Sequence, residues 1–122
     1  KLPTGDTVKA LAITASAATF SIKLPLYMVD MLSPGIIAFN FYSPDLEAAN
    51  SVTLGLSSEN FASKHHKRGR TTRNGWNAFR HHPLDMVNTS SNDLSAINAL
   101  QIEVTGGTNG AVYYVSQIWH GR

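Results

Sequence analysis

Short stretches in which every second residue is apolar constrain the fold of this chain more than any other feature. The apolar sets are Phe20, Ile22 and Leu24; Ile37, Phe39 and Phe41; Val52, Leu54 and Leu56; and Leu100, Ile102 and Val104. Side chains of a β-strand point alternately to its two faces. A period of two residues therefore predicts strands that bury one face and expose the other.

Weaker patterns predict the remaining secondary structure. Residues 7–15, 59–64, 74–80 and 112–119 favour further strands, and residues 64–73 favour a projecting loop. The glycine-rich segment 106–110 favours a hairpin between the strands on either side of it. Asn92 or Asp93 can cap a helical turn over residues 94–98, because either side chain accepts a hydrogen bond from a free backbone N–H.

The spacing of these strands predicts the fold class. Short strands about ten residues apart, with no long helix between them, are typical of an antiparallel sandwich and not of a βαβ fold. We therefore expect an all-β, antiparallel two-sheet β-sandwich, jelly-roll-like, with at most one or two short helical turns. The 122 residues predict a single domain. We expect residues 1–6 to be the end of a linker, and the chain to be a fragment of a larger protein.

Composition and motifs exclude several kinds of protein. The chain has no cysteine, so neither a disulfide framework nor a thiolate metal site is available. It has no apolar run of roughly 18 residues, so no membrane-spanning helix is predicted. A G-x-S-x-G elbow and phosphate-binding glycine motifs are absent. The Asp and Glu residues are scattered and fit turns, caps or exposed strand positions better than a hydrolytic acid pair. We expect a domain that is not an enzyme.

Two histidine pairs raise the question of a metal site. His65 and His66 are adjacent, as are His81 and His82. Neighbouring strand residues point to opposite faces, so each pair offers one ligand to a site. Asp85 is the nearest carboxylate, and no cysteine is present to complete the ligand set. We expect no bound metal and no cofactor.

Positive charge is concentrated in one segment. Residues 60–84 contain no Asp or Glu, and their basic residues are Lys64, Lys67, Arg68, Arg70, Arg73 and Arg80. Clustered charge of one sign attracts polyanions such as acidic polysaccharide, anionic lipid or nucleic acid. The alternative is a solvated loop without a ligand.

The order of features over residues 36–118 resembles that of jelly-roll β-sandwich modules similar to carbohydrate-binding modules. The resemblance rests on a strand pair within residues 36–56, then Phe61, Gly75-Trp76-Asn77, Asp93-Leu94-Ser95-x-Ile97, Leu100-x-Ile102 and Val115-x-x-Ile118. Such modules occur in secreted polysaccharide-active enzymes and in phage tail spikes or fibres. The resemblance implies a jelly-roll fold and an extracellular or virion (tail) location.

Sugar sites usually combine an exposed aromatic ring with Asn, Asp, Arg or His groups around it. The aromatic candidates are Trp76, Trp119, Tyr113, Tyr114 and Tyr42. Large aromatics mostly supply buried area, so we expect Trp76 in the core, with sugar stacking as its alternative role. Arginine can form forked bonds to carboxylates or sulfates. The predicted ligand-binding residues are Lys64, His66, Lys67, Arg68, Arg70, Arg73, Trp76 and Trp119.

Two functions follow as expectations. Residues 64–73 contain no Trp, Tyr or Phe for base stacking, so a polysaccharide, and with the basic segment an acidic one, is favoured over nucleic acid. The first expectation is a non-catalytic glycan-recognition module of a larger extracellular or phage tail protein. The alternative is a structural domain that attaches, spaces or trimerises a tail spike or secreted enzyme. Outward-facing Ala38 and Tyr42 would suit burial against neighbouring domains or in a homo-oligomer.

Overall fold

The computed structural model describes residues 10–32, 35–45, 50–59, 61, 64–72, 74–89, 92–116 and 118–121. Its strands are β1 (Ala10–Thr14), β2 (Phe20–Val29), β3 (Ile36–Ser43), β4 (Ser51–Ser57), β5 (Lys64–Arg70), β6 (Gly75–His81), β7 (Val87–Thr89), β8 (Ile97–Thr105), β9 (Val112–Ser116) and β10 (Trp119–Gly121). Two 3-10 turns, Pro83–Asp85 and Leu94–Ala96, are the only helical elements in these ranges. Residues 1–9, which include the predicted linker end and the start of the first predicted strand, lie outside the described part.

The strands form two antiparallel sheets. The front sheet has the order β1, β9, β3, β6, and β10 pairs with β3 on the same edge as β9. The back sheet has the order β2, β8, β4, β5, β7. The predicted fold class, an antiparallel two-sheet β-sandwich with short helical turns, is confirmed. In the described part of the chain, no helix has the length and apolarity needed to cross a membrane.

The core lies between the sheets, where the alternating apolar residues meet. Ile37, Phe39 and Phe41 of β3 are at most 3% exposed, and Phe79 of β6 stacks on Phe39 with ring centroids 5.3 Å apart. The back sheet contributes buried Val52, Leu54, Leu56, Leu100, Ile102 and Val104. Burying one such side chain is worth about 1.5–3 kcal/mol, so the inward set also fixes which residues of each strand face outward.

Residues 64–70 of the basic segment form a strand, β5, where the sequence predicts a projecting loop over residues 64–73. β5 pairs with β4 along its length and with β7 at its start. Its inward positions hold His65, Lys67 and Gly69, so no apolar alternation marks it in the sequence. Gly69 lies so close to the neighbouring sheet that a Cβ there would be 2.7 Å from the Phe79 ring.

Three further local predictions fail or need correction. β8 and β9 do not form a hairpin, because β8 pairs with β2 and β4 while β9 pairs with β1 and β3. The connection instead crosses between sheets, with φ of 79° at Gly106 and 88° at Gly110, values that favour glycine. Phe61 has a φ of 68° and lies in a turn, not in the predicted strand. β7 lies in a segment for which the sequence pattern predicts no strand.

The predicted cap before the second 3-10 turn is confirmed. Asp93 Oδ1 accepts hydrogen bonds from the Ser95 backbone N–H at 2.9 Å and from the Ser95 hydroxyl at 2.6 Å. These bonds hold the pKa of Asp93 below its ordinary value of 3.8. The turn ends at Ala96 and is therefore shorter than the predicted one.

A fully buried asparagine, Asn50, joins three segments at one end of the sandwich. Its Nδ2 donates to Asp45 Oδ2 at 2.9 Å and to the Gly106 carbonyl at 3.0 Å, and its Oδ1 accepts from the Ser43 hydroxyl. Its backbone N–H donates to Thr71 Oγ1 at 2.8 Å. These bonds tie the end of β3 to the connections that follow β5 and β8.

Three uncharged donors hold the Asp45 carboxylate. Besides Asn50, the hydroxyls of Tyr113 and Thr108 donate to it at 2.6 and 2.7 Å. Burial raises the pKa of Asp45, but these hydrogen bonds outweigh burial, and the pKa lies below its ordinary value of 3.8. Burial and the bond to Asp45 raise the pKa of Tyr113 above 10.0. Tyr113 is thus a protonated core donor, and its candidacy as an exposed sugar-stacking ring is wrong.

Candidate functional site

Most of the predicted basic residues lie on the outer face of the back sheet. Lys64, His66, Arg68 and Arg70 alternate with the inward positions of β5, and we call these four residues the basic row. Arg68 and Arg70 are exposed, and neither side chain forms a hydrogen bond or ion pair with a described residue. Lys67 shares the inward side of the strand but is exposed.

The outer face of the front sheet carries aromatic, small and polar side chains, with one arginine, in rows that cross the strands. The strand registers place them as Tyr114, Tyr42 and Trp76; then Ser116, Asn40 and Ala78; then Trp119, Ala38 and Arg80. β3 supplies the middle member of each row, because it pairs with β6 along one edge and with β9 and β10 along the other.

The first of these rows is aromatic throughout, and we call Tyr114, Tyr42 and Trp76 the aromatic row. Tyr42 packs edge-to-face against both neighbours, with ring centroids 5.4 Å from Trp76 and 5.5 Å from Tyr114 and interplanar angles of 71° and 75°. Aromatic rings prefer such edge-to-face contacts. The three rings therefore support one another as an apolar ledge on the sheet surface, with Tyr114 36% exposed.

A shallow cavity lies beside this ledge, and we call the cavity and the aromatic row together the trough. The cavity has a volume of about 200 Å³ and is lined by Ala38, Phe39, Asn40, Ala78, Phe79, Arg80, Ser116 and Trp119. The small side chains of Ala38 and Ala78 keep its floor low. Trp119, 50% exposed, stands on one side and Arg80 on the other. From β10 to β6 the cavity spans two strand spacings, about 10 Å.

Two polar side chains that line the trough form no hydrogen bond with any residue that the structure describes. The backbone N–H of Asn40 donates to Ser116 Oγ at 2.8 Å, but the Asn40 amide forms no hydrogen bond with a described residue. The same holds for the guanidinium of Arg80. An amide offers both donors and an acceptor, and a guanidinium offers five N–H donors. The trough therefore presents apolar rings and unused hydrogen-bonding groups side by side.

The structure divides the predicted binding residues between two faces. Trp76 and Trp119 lie on the front sheet, whereas Lys64, His66, Arg68 and Arg70 lie on the outer face of the back sheet. One rigid surface therefore does not contain both sets. Arg73 lies outside the described residues. The expectation of a core Trp76 is wrong, because the inward positions of β6 are Asn77, Phe79 and His81 and Trp76 faces outward, partly exposed.

Sequence reasoning identifies the aromatic residues of the trough as candidates but misses the polar and small residues beside them. Asn40 and Arg80 were not recognised as members of one site, nor were Ala38 and Ala78 as its floor. Alternation around Phe39 identifies residues 38 and 40 as outward-facing, which is a usable signal. The pairing of β3 with β6 and β10 is long-range information that the alternation does not contain.

The two histidine pairs lie in different sheets, with His65 and His66 in β5 of the back sheet and His81 in β6 of the front sheet. In the part of the chain that the structure describes, no group of three His, Asp or Glu side chains comes together. His65 is buried, and its Nδ1 lies 2.7 Å from Asn92 Nδ2, which also donates to the Leu56 carbonyl. Burial and the neighbouring His66 lower the pKa of His65 below 6.5. A neutral ring can then accept the hydrogen bond from Asn92.

His81 is the second buried histidine, on the inward face of β6. Its ring lies 6.5 Å from that of Phe39 and 6.3 Å from that of Phe79, centroid to centroid. Its Nε2 has no hydrogen-bond partner among the described residues. Burial, followed by the charges of Lys67 and His82, lowers the pKa of His81 below 6.5. The folded protein therefore resists protonation at this position.

Acidification is expected to destabilise the fold through His81 and His65. Below pH 6.5 the unfolded chain takes up protons that the folded chain resists, so the free energy of unfolding falls as the pH is lowered through that value. The substitution His81→Phe removes the unpaired nitrogen and should flatten this decline. Urea unfolding between pH 7.5 and 5 measures it; parallel curves for wild type and variant would contradict the assignment.

Comparisons with known proteins identify the fold. No family model and no curated protein sequence matches this chain. Solved structures do match. A family 11 carbohydrate-binding module from Clostridium thermocellum, in complex with a β-1,3-1,4-mixed-linked tetrasaccharide, has a TM-score of 0.61 at 12% identity and covers 93% of this chain and 83% of its own.

Two further structures agree with that match. A family 16 carbohydrate-binding module has a TM-score of 0.55 at 9% identity, covering 97% of this chain and 79% of its own. The family 11 module of the Clostridium thermocellum cellulosomal cellulase Lic26A-Cel5E has a TM-score of 0.55 at 13% identity, covering 93% and 82%. The chain has the jelly-roll β-sandwich fold of carbohydrate-binding modules. Identities this low establish the fold alone.

Proposed function

We propose that this domain is a non-catalytic glycan-recognition module of a larger extracellular or virion-tail protein, and that it binds a polysaccharide chain in the trough. The observation that carries the proposal is the trough itself, with the aromatic row and Trp119 beside Asn40 and Arg80, whose side chains form no hydrogen bond with a described residue. The fold supports it, because structures similar to this chain are carbohydrate-binding modules, one of them with a bound tetrasaccharide.

The chemistry of the trough suits a sugar. A pyranose ring has apolar C–H faces and a rim of hydroxyl groups, so it needs a flat apolar partner and hydrogen-bonding groups at its edge. Trp119 and the aromatic row supply the apolar partners, and the Asn40 amide supplies both donors and an acceptor. None of the described side chains that form the trough is a carboxylate, whereas glycoside hydrolysis usually needs two. The arrangement favours binding without cleavage.

A glycan-array screen of the domain tests this proposal. The array is probed at low and at physiological salt, with double-stranded DNA as competitor, using wild type and a Tyr114→Ala variant. Binding to particular glycans that survives physiological salt, resists DNA and is lost in the variant supports the proposal. Absence of glycan binding, or binding that DNA abolishes, would sink it.

The basic row is proposed as a second, electrostatic surface for long acidic polysaccharides, since it cannot reach the trough. Arg68→Gln combined with Arg70→Gln should weaken binding to a long polyuronate by about threefold to tenfold at low salt. The difference should largely vanish near 0.15 M salt, where the Debye length is about 8 Å. Surface plasmon resonance at several salt concentrations measures this effect. An equal salt dependence in wild type and variant would remove the basic row from the binding surface.

An assembly role is the second candidate, and one feature favours it. The sandwich is open between the edge strands β1 and β2, where an apolar cavity of about 790 Å³ includes Leu11, Ile22 and Leu24 in its lining. Leu11, which lines this cavity, is 47% exposed, and exposed apolar patches often mark association surfaces. Sedimentation equilibrium decides the matter: a stable oligomer supports assembly, and a monomer at high concentration argues against it.

A further inference from the structure

The three rows of side chains on the front sheet contain a single charged residue. Among the described residues of β3, β6, β9 and β10 that form the three rows, Arg80 alone is charged at neutral pH. It is exposed and has no hydrogen-bond or ion-pair partner among the described residues. Arg80 lines the same cavity as Trp119 and Asn40.

The positions of these groups match one sugar unit with an acidic substituent. Arg80 and Trp119 flank Ala38 on its two sides in the same row, so a ring lying over Ala38 would contact both. A planar guanidinium binds a carboxylate through two parallel N–H···O bonds. In a uronic acid the carboxylate is attached directly to the sugar ring, so ring stacking on Trp119 and a forked bond to Arg80 can occur together.

We propose that the trough selects glycans containing uronic acid, with Arg80 binding the ring carboxylate and Trp119 stacking on the same sugar. This inference rests on the proposed function and adds the class of ligand to it. The trough combines one charged side chain with a stacking ring. The basic row, on the opposite face, has several charges without an aromatic partner. The basic row would bind any polyanion, whereas the trough would distinguish a carboxylate-bearing sugar from its neutral counterpart.

Calorimetric titration at 0.15 M salt tests the proposal with defined oligosaccharides. The probes are oligogalacturonate, oligomannuronate and oligoguluronate of equal length, each compared with its carboxyl-reduced neutral form, and a sulfated oligosaccharide that contains no uronic acid. Wild type should bind at least one oligouronate about tenfold more tightly than its reduced form, since hydrogen bonds to a charged group are among the stronger ones. Tighter binding of the sulfated probe than of every oligouronate would overturn the assignment to carboxylates.

Three variants separate the forked bond from general electrostatics. Arg80→Gln should abolish the tenfold preference while leaving binding of the reduced form unchanged. Arg80→Lys keeps the charge but not the planar fork, and should restore only part of the preference. Lys23→Gln removes one positive charge at an exposed position of β2 on the back sheet, outside both the trough and the basic row, and should leave the preference intact. Equal losses in Arg80→Gln and Lys23→Gln would show general attraction and overturn the proposal.

Failure of this inference and failure of the proposed function give different results. Equal affinity for acidic and reduced oligosaccharides, with both lost in Trp119→Ala, would overturn the uronic acid assignment and leave glycan recognition in place. Binding of neither kind of oligosaccharide, and of nothing on the glycan array, would overturn both. Circular dichroism and thermal unfolding of each variant confirm that the exposed substitutions leave the fold intact.

Discussion

Asn50→Ala is expected to lower the free energy of unfolding by about 3–4 kcal/mol, because a truncated buried partner leaves several polar groups unsatisfied. The Ser43 hydroxyl, the Asp45 carboxylate and the Gly106 carbonyl each lose a hydrogen-bond partner, and both Asn50 and Ser43 are buried. Domains of this size are commonly stable by about 5–15 kcal/mol. A large share of the stability therefore depends on this side chain.

Two companion substitutions make the Asn50 prediction specific. Asn50→Asp keeps the shape but places a second carboxylate against Asp45, so it should destabilise the fold most at neutral pH and partly recover on acidification, as one carboxyl becomes protonated. Asn109→Ala, at an exposed position in the connection after β8, should change stability by no more than about 0.5 kcal/mol. Urea unfolding at pH 7 and pH 4.5 measures all three. A loss below about 1 kcal/mol for Asn50→Ala would contradict the network's role.

Trp119→Ala is expected to weaken glycan binding by roughly 30-fold, which corresponds to about 2 kcal/mol. Binding energy is usually concentrated in a few aromatic and arginine side chains, and Trp119 has the largest exposed ring beside the cavity. Because it is half exposed, its removal should change folding stability little. Calorimetry with a glycan from the array measures the affinity.

A matched control separates loss of a sugar contact from loss of apolar surface. Val87 is 58% exposed on the back-sheet strand β7, and Val87→Ala removes exposed apolar area far from the trough. Its glycan affinity should equal that of wild type. Equal affinities for wild type and Trp119→Ala would remove Trp119 from the site, and a loss in Val87→Ala would move the search to the back sheet.

How far the sequence predicts this molecule depends on the strand considered. In β3, large apolar residues at positions 37, 39 and 41 alternate with Ala38, Asn40 and Tyr42. The inward and outward faces of the strand follow directly from that pattern. β5 is different, because its inward positions hold His65, Lys67 and Gly69 and offer no apolar period. Its strand conformation results from pairing with β4 and from the close fit of Gly69 under Phe79, both of which are tertiary effects.

The candidate site is harder to predict than the fold, because its residues come from strands that are far apart in the sequence. Trp76 and Trp119 were identified as candidate ligand residues from their chemistry, but their partners Asn40 and Arg80 come from other strands. Sequence neighbours often pair in space, which is why β8 and β9 suggested a hairpin. The crossing of that connection to the front sheet places β9 and β10 beside β3 and so assembles the trough. Strand order is therefore the missing information.

Nuclear magnetic resonance mapping of a glycan titration locates the binding surface on the folded domain. The ¹⁵N-labelled domain is titrated with an oligosaccharide selected by the array, and the backbone and tryptophan side-chain N–H signals are followed. We expect the largest shifts in β3, β6, β9 and β10, including the indole signals of Trp76 and Trp119, with little change in β5. Saturable shifts confined to β5 or to the cleft between β1 and β2, with the trough unaffected, would show that the glycan does not bind in the trough.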